Sequence, residues 1–223
     1  LGRYGTHANF PGAASPGPTS RGQNFFLGGL GATSVISQTI DLSALAADID
    51  DPGVDYALSA WLGGRGALPA AAQFSARFLN GAGVPLGTNR LGPVTADDRG
   101  GVTGLVERSA TGQLPVGTRL VEFVLSAQAT AVTNDASADN LSFVLTPRPD
   151  LPFRILGFTP TNGGWRVEFE TRTNRLYSLE RSPDFDAWET VGAAVPGSGA
   201  SLTLVDPEPP LGQAFYRIRG RRP

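Results

Sequence analysis

Turn-forming residues recur about every ten residues along this chain and separate short apolar segments. Glycine and proline contribute 29 and 18 of the 223 residues, about a fifth, and show no collagen-like period. Glycine tolerates the backbone conformations of tight turns, and proline lacks the N–H that a central strand uses. The spacing therefore predicts an all-β fold, an antiparallel β-sandwich.

The segments between the turns alternate apolar and polar residues, as half-buried strands do. In the first two thirds of the chain we predict a series of strands and one short helix or helical turn over residues 43–49, where Leu42, Leu45, Ala46 and Ile49 recur at helical spacing. The strands are expected at residues 24–29, 34–42, 54–62, 73–79, 102–108, 118–128 and 138–145.

The segment at residues 138–145 opens on Asp139 and then places Leu141, Phe143 and Leu145 on one face. Pro147, Pro149 and Pro152 follow it and remove the N–H groups that a sheet would need. One domain is therefore expected to end here. The predicted organisation is a Pro/Gly-rich arm at 1–23, a large sandwich at 24–146, a linker at 147–152 and a smaller β domain at 153–223, with strands at 153–158, 165–170, 176–181, 190–194, 201–205 and 215–219.

Composition argues against several partners. The formal charge of -2 and the pI near 5.4 give no broad basic surface for a nucleic-acid backbone. Cysteine is absent, which excludes disulfides and thiolate chemistry.

No apolar run approaches the roughly 20 residues of a membrane helix, so we expect no membrane span. The chain starts at Leu1 without a basic leader, and we interpret it as a processed chain or a fragment.

Several motifs occur together in the first two thirds of the chain: Asn24-Phe25-Phe26, Ser37-Gln38-Thr39-Ile40-Asp41-Leu42, Leu58-Ser59-Ala60-Trp61-Leu62-Gly63-Gly64, Leu91-Gly92-Pro93-Val94, Leu114-Pro115-Val116-Gly117 and Ala138-Asp139-Asn140-Leu141-Ser142. Together they resemble bacterial secreted galactose-binding-like jelly rolls, which are related in fold to carbohydrate-binding modules. The resemblance covers residues 3–146 and implies a jelly-roll sandwich that is secreted or on the cell surface. The last third carries Trp165-Arg166-Val167-Glu168-Phe169, and from residue 151 onward the chain resembles the small fibronectin-III-like modules that end many secreted bacterial proteins.

The resemblance also implies a structural calcium ion, with Asp139 as its first ligand and Asp135 as a contributor. Asp139 capping a turn is the alternative. Relatives begin with a strand carrying an Asn-Gly-hydrophobic-Glu motif, which has no counterpart upstream of Leu1. We therefore expect an unpaired edge or an open groove beside Asp139. A neighbouring chain that supplied this strand would make the protein an assembly subunit.

Trp61 is the candidate ligand-binding residue. It is out of phase with Tyr56 and Leu58, and should point away from the core, where an indole beside Arg65 could stack on a sugar ring. Packing against a partner layer is the alternative. Trp165 and Trp188 are expected to belong to the core of the smaller domain.

Catalysis has little support in the sequence, and we expect a non-enzyme. His7 is the only histidine and lies in the arm, so no histidine-based triad can be assembled. Asp97 and Asp98 are adjacent, which would point them to opposite faces of a strand. The hypotheses are therefore a glycan- or polysaccharide-binding module and, as the alternative, a structural subunit of an extracellular filament or surface layer.

Overall fold

The computed structural model describes residues 1–130, 132–149 and 152–222. The chain divides into two compact units, Leu1–Pro149 and Asp150–Pro223. Strands hold about 57% of the residues and helices about 5%, so the predicted all-β class is confirmed. Asp150 and Leu151 of the predicted linker lie outside the described residues.

The first unit contains two antiparallel sheets that face each other. One sheet has five strands in the order β1-β2-β9-β4-β7, and the other has four in the order β3-β8-β5-β6. Their bounds are β1 Gly2–Arg3, β2 Asn24–Leu30, β3 Thr33–Asp41, β4 Val54–Gly64, β5 Ala71–Leu79, β6 Pro85–Val94, β7 Gly104–Gln113, β8 Leu120–Gln128 and β9 Thr133–Pro147.

The strand pairs of this unit are nested, which makes it a jelly roll. β2 pairs with β9, β3 with β8, β4 with β7, and β5 with β6, all antiparallel. A long two-stranded ribbon wound around itself gives this pattern, and alternate pairs then fall in opposite sheets. β9 ends at Pro147, where the prolines were predicted to stop the sheet.

The core lies between the two sheets. β4 buries Tyr56, Leu58, Ala60 and Leu62 and leaves the residues between them more exposed, as its alternation predicted. The predicted helix is also present, as a 3-10 turn at Ser43–Leu45 followed by an α-helix at Ala46–Asp50. Strand β6 was not predicted, and β9 begins earlier than expected.

The Pro/Gly-rich arm lies on the outer face of the five-stranded sheet. Phe26 packs on the core, whereas Phe25 points to the other face and is still only 1% exposed. Its cover comes from Tyr4 and Phe10, whose rings lie 4.9 and 5.6 Å from the Phe25 ring. Further along, the Leu105 N–H donates to the Pro16 carbonyl at 2.8 Å. These contacts place the arm on its own sheet.

The second unit is a smaller sandwich of two three-stranded sheets, β10-β11-β14 and β13-β12-β15. Its buried core consists of Val167, Phe169, Tyr177 and Leu179. The bounds are β10 Ile155–Thr161, β11 Gly164–Glu170, β12 Leu176–Ser182, β13 Glu189–Pro196, β14 Ser201–Asp206 and β15 Phe215–Arg221.

The predicted place of Trp165 and Trp188 in that core is wrong. Trp165 stacks on Phe158 with ring centroids 4.6 Å apart, and Trp188 lies 4.0 Å under the Arg217 guanidinium. The core is small enough to be filled by Phe169 and Tyr177, which leaves both indoles at its border.

We predict that Leu58→Ala lowers the free energy of unfolding of the first unit by about 2–5 kcal/mol, because it opens a cavity between the sheets. The control is Val144→Ala on β9, whose side chain is half exposed and whose loss should cost less than about 1 kcal/mol. The two losses in free energy of unfolding are measured by urea unfolding, with hydrogen exchange of the β4 amides as the probe of the first unit. Equal losses would contradict this account of the core.

Candidate functional site

The jelly roll is open along one side, between β9 and β3. β9 pairs with β4 over most of its length, but its pairing with β2 ends at Ala138. In the part of the chain that the structure describes, no strand pairs with this edge of β9 over residues 140–147, and β3 pairs with β8 alone. Two free sheet edges therefore border the same opening.

An apolar groove of about 250 Å³ lies in this opening. The five-stranded sheet contributes Phe26, Leu141, Ser142 and Phe143. The four-stranded sheet contributes Ile36, Ser37, Gln38, Ile40, Phe74, Phe123 and Leu125.

The exposure of two isoleucines shows that the groove is an unfilled part of the core. Ile36 and Ile40 lie opposite Leu125 and Val121 of β8, which are buried, so they point to the core side of their sheet. They are nevertheless 55% and 38% exposed, because the other sheet has no strand across from them. The expected groove beside Asp139 is therefore present, and its lining on β9 begins two residues after Asp139, at Leu141.

A β-bulge at Asn140 marks the point where β9 loses its second partner. Ser59 and Trp61 of β4 pair with Ser142 and Asp139, so Ala60 faces two residues of β9. Asn140 has a φ of 46°, a left-handed conformation that asparagine tolerates better than most residues. The extra residue shifts the alternation, so Ala138 on one side of the bulge and Leu141 on the other both pack on the core.

The Asp139 carboxylate is held by two hydrogen bonds. The Tyr4 hydroxyl donates to Oδ2 at 2.7 Å, and the Asn140 N–H donates to Oδ1 at 2.8 Å. Burial, and secondly the hydrogen bond to this carboxylate, raises the pKa of the Tyr4 phenol well above its ordinary value. Tyr4 thus fastens the arm to β9 directly beside the bulge.

The calcium site stays a prediction. Asp135 lies on the same strand as Asp139, partly buried, and its backbone carbonyl accepts the Ser137 hydroxyl at 3.2 Å. Within residues 1–130, 132–149 and 152–222, no group of three or more His, Asp or Glu side chains is arranged to hold a metal.

Trp61 lies on the outer face of β4, as its phase predicted. It is partly exposed and stands between Glu107 of β7 and Asp139 of β9. Arg65 follows the end of the strand, and its carbonyl accepts the Leu68 N–H at 3.1 Å. Among the described residues the cations above aromatic rings are Arg21 over Tyr4 and Arg217 over Trp188, so the structure does not bring Arg65 over Trp61.

The residues weighed for catalysis have structural partners. The exposed His7 accepts the Asn9 N–H through Nδ1 at 3.2 Å and packs against Phe10. Asp98 accepts the Thr95 N–H at 2.8 Å and forms an ion pair with Arg108 at 2.8 Å.

No protein family matches this chain, and no curated protein matches it in sequence. No helix in the described residues is long and apolar enough to cross a membrane.

The sequence predicts the strand that carries Ile36 and Ile40 but does not identify them as site residues. Their alternation identifies the face on which they lie. Whether that face is covered depends on a strand that the sequence pattern of β3 cannot reveal.

We predict that Asp139→Asn lowers the Tyr4 pKa, although the value stays above about 10 because burial is unchanged. Because burial and, secondly, the bond to Asp139 raise the Tyr4 pKa in the folded state, the stability linked to the neutral phenol is fully present below pH about 10 and is lost as pH rises through the folded-state pKa. NMR titration of labelled tyrosine measures the shift, with Asp135→Asn as the control. An equal shift in the control would refute the link between Tyr4 and Asp139.

Proposed function

We propose that this chain is a non-catalytic, secreted or cell-surface β-sandwich protein, and that its jelly roll binds an extended segment of another chain along the open edge of β9. The observation that carries the proposal is the exposure of Ile36 and Ile40 on the core side of β3, across from an unpaired strand edge. An incoming strand would cover the two exposed isoleucines and would also pair with the free edge of β9.

The backbone of β9 supplies the affinity in this mode of binding. Over residues 140–147 every second residue directs its N–H and C=O groups away from β4, toward the opening. A segment added there would continue the five-stranded sheet in line with β2. Its main chain would form ladder hydrogen bonds, as in other cases of strand addition.

The groove supplies the specificity. Side chains on one face of the added strand would enter the space lined by Phe26, Ile36 and Phe143. Completing the burial of Ile36 and Ile40 alone would contribute on the order of 2 kcal/mol. The segment should therefore be apolar at alternate positions. An assembly subunit of an extracellular filament or layer would receive this strand from its neighbour.

We predict that a capped peptide of alternating valine and threonine, long enough to span residues 140–147, binds the chain. Ile40→Asp should weaken binding about tenfold or more, because it places a charge in the apolar groove. Thr39→Asp is the matched control, since Thr39 is the exposed neighbour on the other face of β3. Isothermal titration calorimetry measures both variants.

A second peptide, N-methylated at alternate residues, tests the role of the backbone and should not bind. Equal binding of the two peptides, or equal effects of the two substitutions, would rule out strand addition.

Glycan binding on the outer face of the same sheet is the second candidate. It is favoured by the partly exposed Trp61 indole between the Glu107 and Asp139 positions, since an aromatic ring beside carboxylates suits a sugar.

For this candidate we predict that Trp61→Ala abolishes binding on a glycan array, because the stacking surface is removed, whereas Val144→Ala on the same outer face leaves binding intact. Retained binding in Trp61→Ala would remove this residue from the site.

A further inference from the structure

The loop between β14 and β15 presents a fully exposed leucine on a rigid base. Leu211 is 107% exposed, at the end of the sequence Pro207-Glu208-Pro209-Pro210-Leu211. The prolines fix their own φ angles, which reduces the number of conformations that the loop can adopt. A rigid loop loses little conformational freedom on binding, so its apolar tip is suited to a contact.

Buried polar groups hold the base of this loop. The Arg181 Nη1 donates to the Glu208 carbonyl at 2.6 Å, and the Glu208 N–H donates to Asp206 Oδ1 at 3.1 Å. Asp206 is buried and also accepts the Tyr216 hydroxyl at 2.9 Å. The loop is thereby fixed to β15.

An apolar cavity of about 260 Å³ lies on the same unit, between β10 and β15. Ile155 and Phe158 on its wall are about half exposed. In the described part of the unit, β10 pairs with β11 alone and β15 with β12 alone, so no strand closes this side. The lining residues are Ile155, Phe158, Val167, Ala214, Phe215, Tyr216 and Arg217.

We propose that two copies of this chain associate through the second unit, each inserting Leu211 into the cavity of the other. Each copy carries both the projecting Leu211 and the apolar cavity. Association of two copies therefore buries both leucines and fills both cavities. Leu211 precedes Ala214 of the cavity wall by three positions, which places projection and cavity side by side. Such a self-complementary patch gives a two-fold dimer, in which each contact is made twice.

Charge favours the same arrangement. Glu208 lies on the loop and Arg217 on the rim of the cavity. Arg217 pairs with Glu180 of its own chain at 2.6 Å, but Arg219 contacts the same carboxylate at 3.4 Å. Two arginines thus share one acidic group, and the excess positive charge favours the approach of Glu208 from the partner. The proposal goes beyond strand addition at β9 and does not depend on it, because it uses a different unit and different residues.

The test is sedimentation equilibrium of the full chain over a broad concentration range. Leu211→Ser removes the projection, and Ala214→Trp fills the cavity. Either change should weaken dimerisation about tenfold or more. Val205→Ser removes a half-exposed apolar side chain of β14 that does not line the cavity, and it should leave the dimer unchanged.

A mixing experiment separates this arrangement from a general loss of apolar surface. A Leu211→Ser copy still has an open cavity, and an Ala214→Trp copy still has its leucine. A mixture of the two variants should therefore form a heterodimer with one intact contact, which is tighter than the weakened homodimer of either variant alone.

A monomer at every concentration would overturn the proposal. So would a dimer that Leu211→Ser and Val205→Ser weaken equally, or mixed variants that stay monomeric. Association lost in Ile40→Asp but kept in Leu211→Ser would also overturn it, while supporting strand addition at β9. Thermal unfolding of each variant checks that the fold is retained.

Discussion

The first unit depends on the pairing of β9 with β4 in the middle of its larger sheet. β4 directs Tyr56 and Leu58 into the core, and β9 adds Leu141 and Phe143 beside them. The other edge of β9 has a partner only as far as Ala138. Since backbone groups and apolar side chains both need cover, the same missing pairing explains the free edge, the groove and the exposed isoleucines.

The N-terminal arm shows how the chain covers a sheet without adding a full strand. β1 pairs with β2 through two residues only, Gly2 and Arg3. The rest of the arm covers Phe25 and Leu105 through ring packing and a backbone hydrogen bond, and it is fastened by Tyr4 at Asp139. This leaves Trp61 partly exposed on the outer face while the apolar residues nearby are buried.

Those features of the fold that depend on the local alternation of apolar and polar residues could be predicted from the sequence. The phase of β4, the short helix and the end of β9 at Pro147 all follow from residue order. β6 was missed because Gly87, Gly92 and Pro93 interrupt its pattern, and its pairing with β5 maintains the strand nonetheless. The groove beside Asp139 was expected from the family resemblance, but the arm's position and the part that Ile36 and Ile40 play in the groove could not be predicted, because both depend on which surfaces meet in three dimensions.

The nested ribbon has a consequence for how the two units acquire their structure. Phe26 must find Ala138, and Ile36 must find Leu125, across most of the first unit. The second unit starts from a local hairpin, in which Thr161 pairs with Gly164. Because distant loop closure slows folding, the jelly roll should be the slower folder. On the ribosome it cannot be completed until β9 has emerged, so the apolar faces of β2 and β4 stay exposed until late in its synthesis.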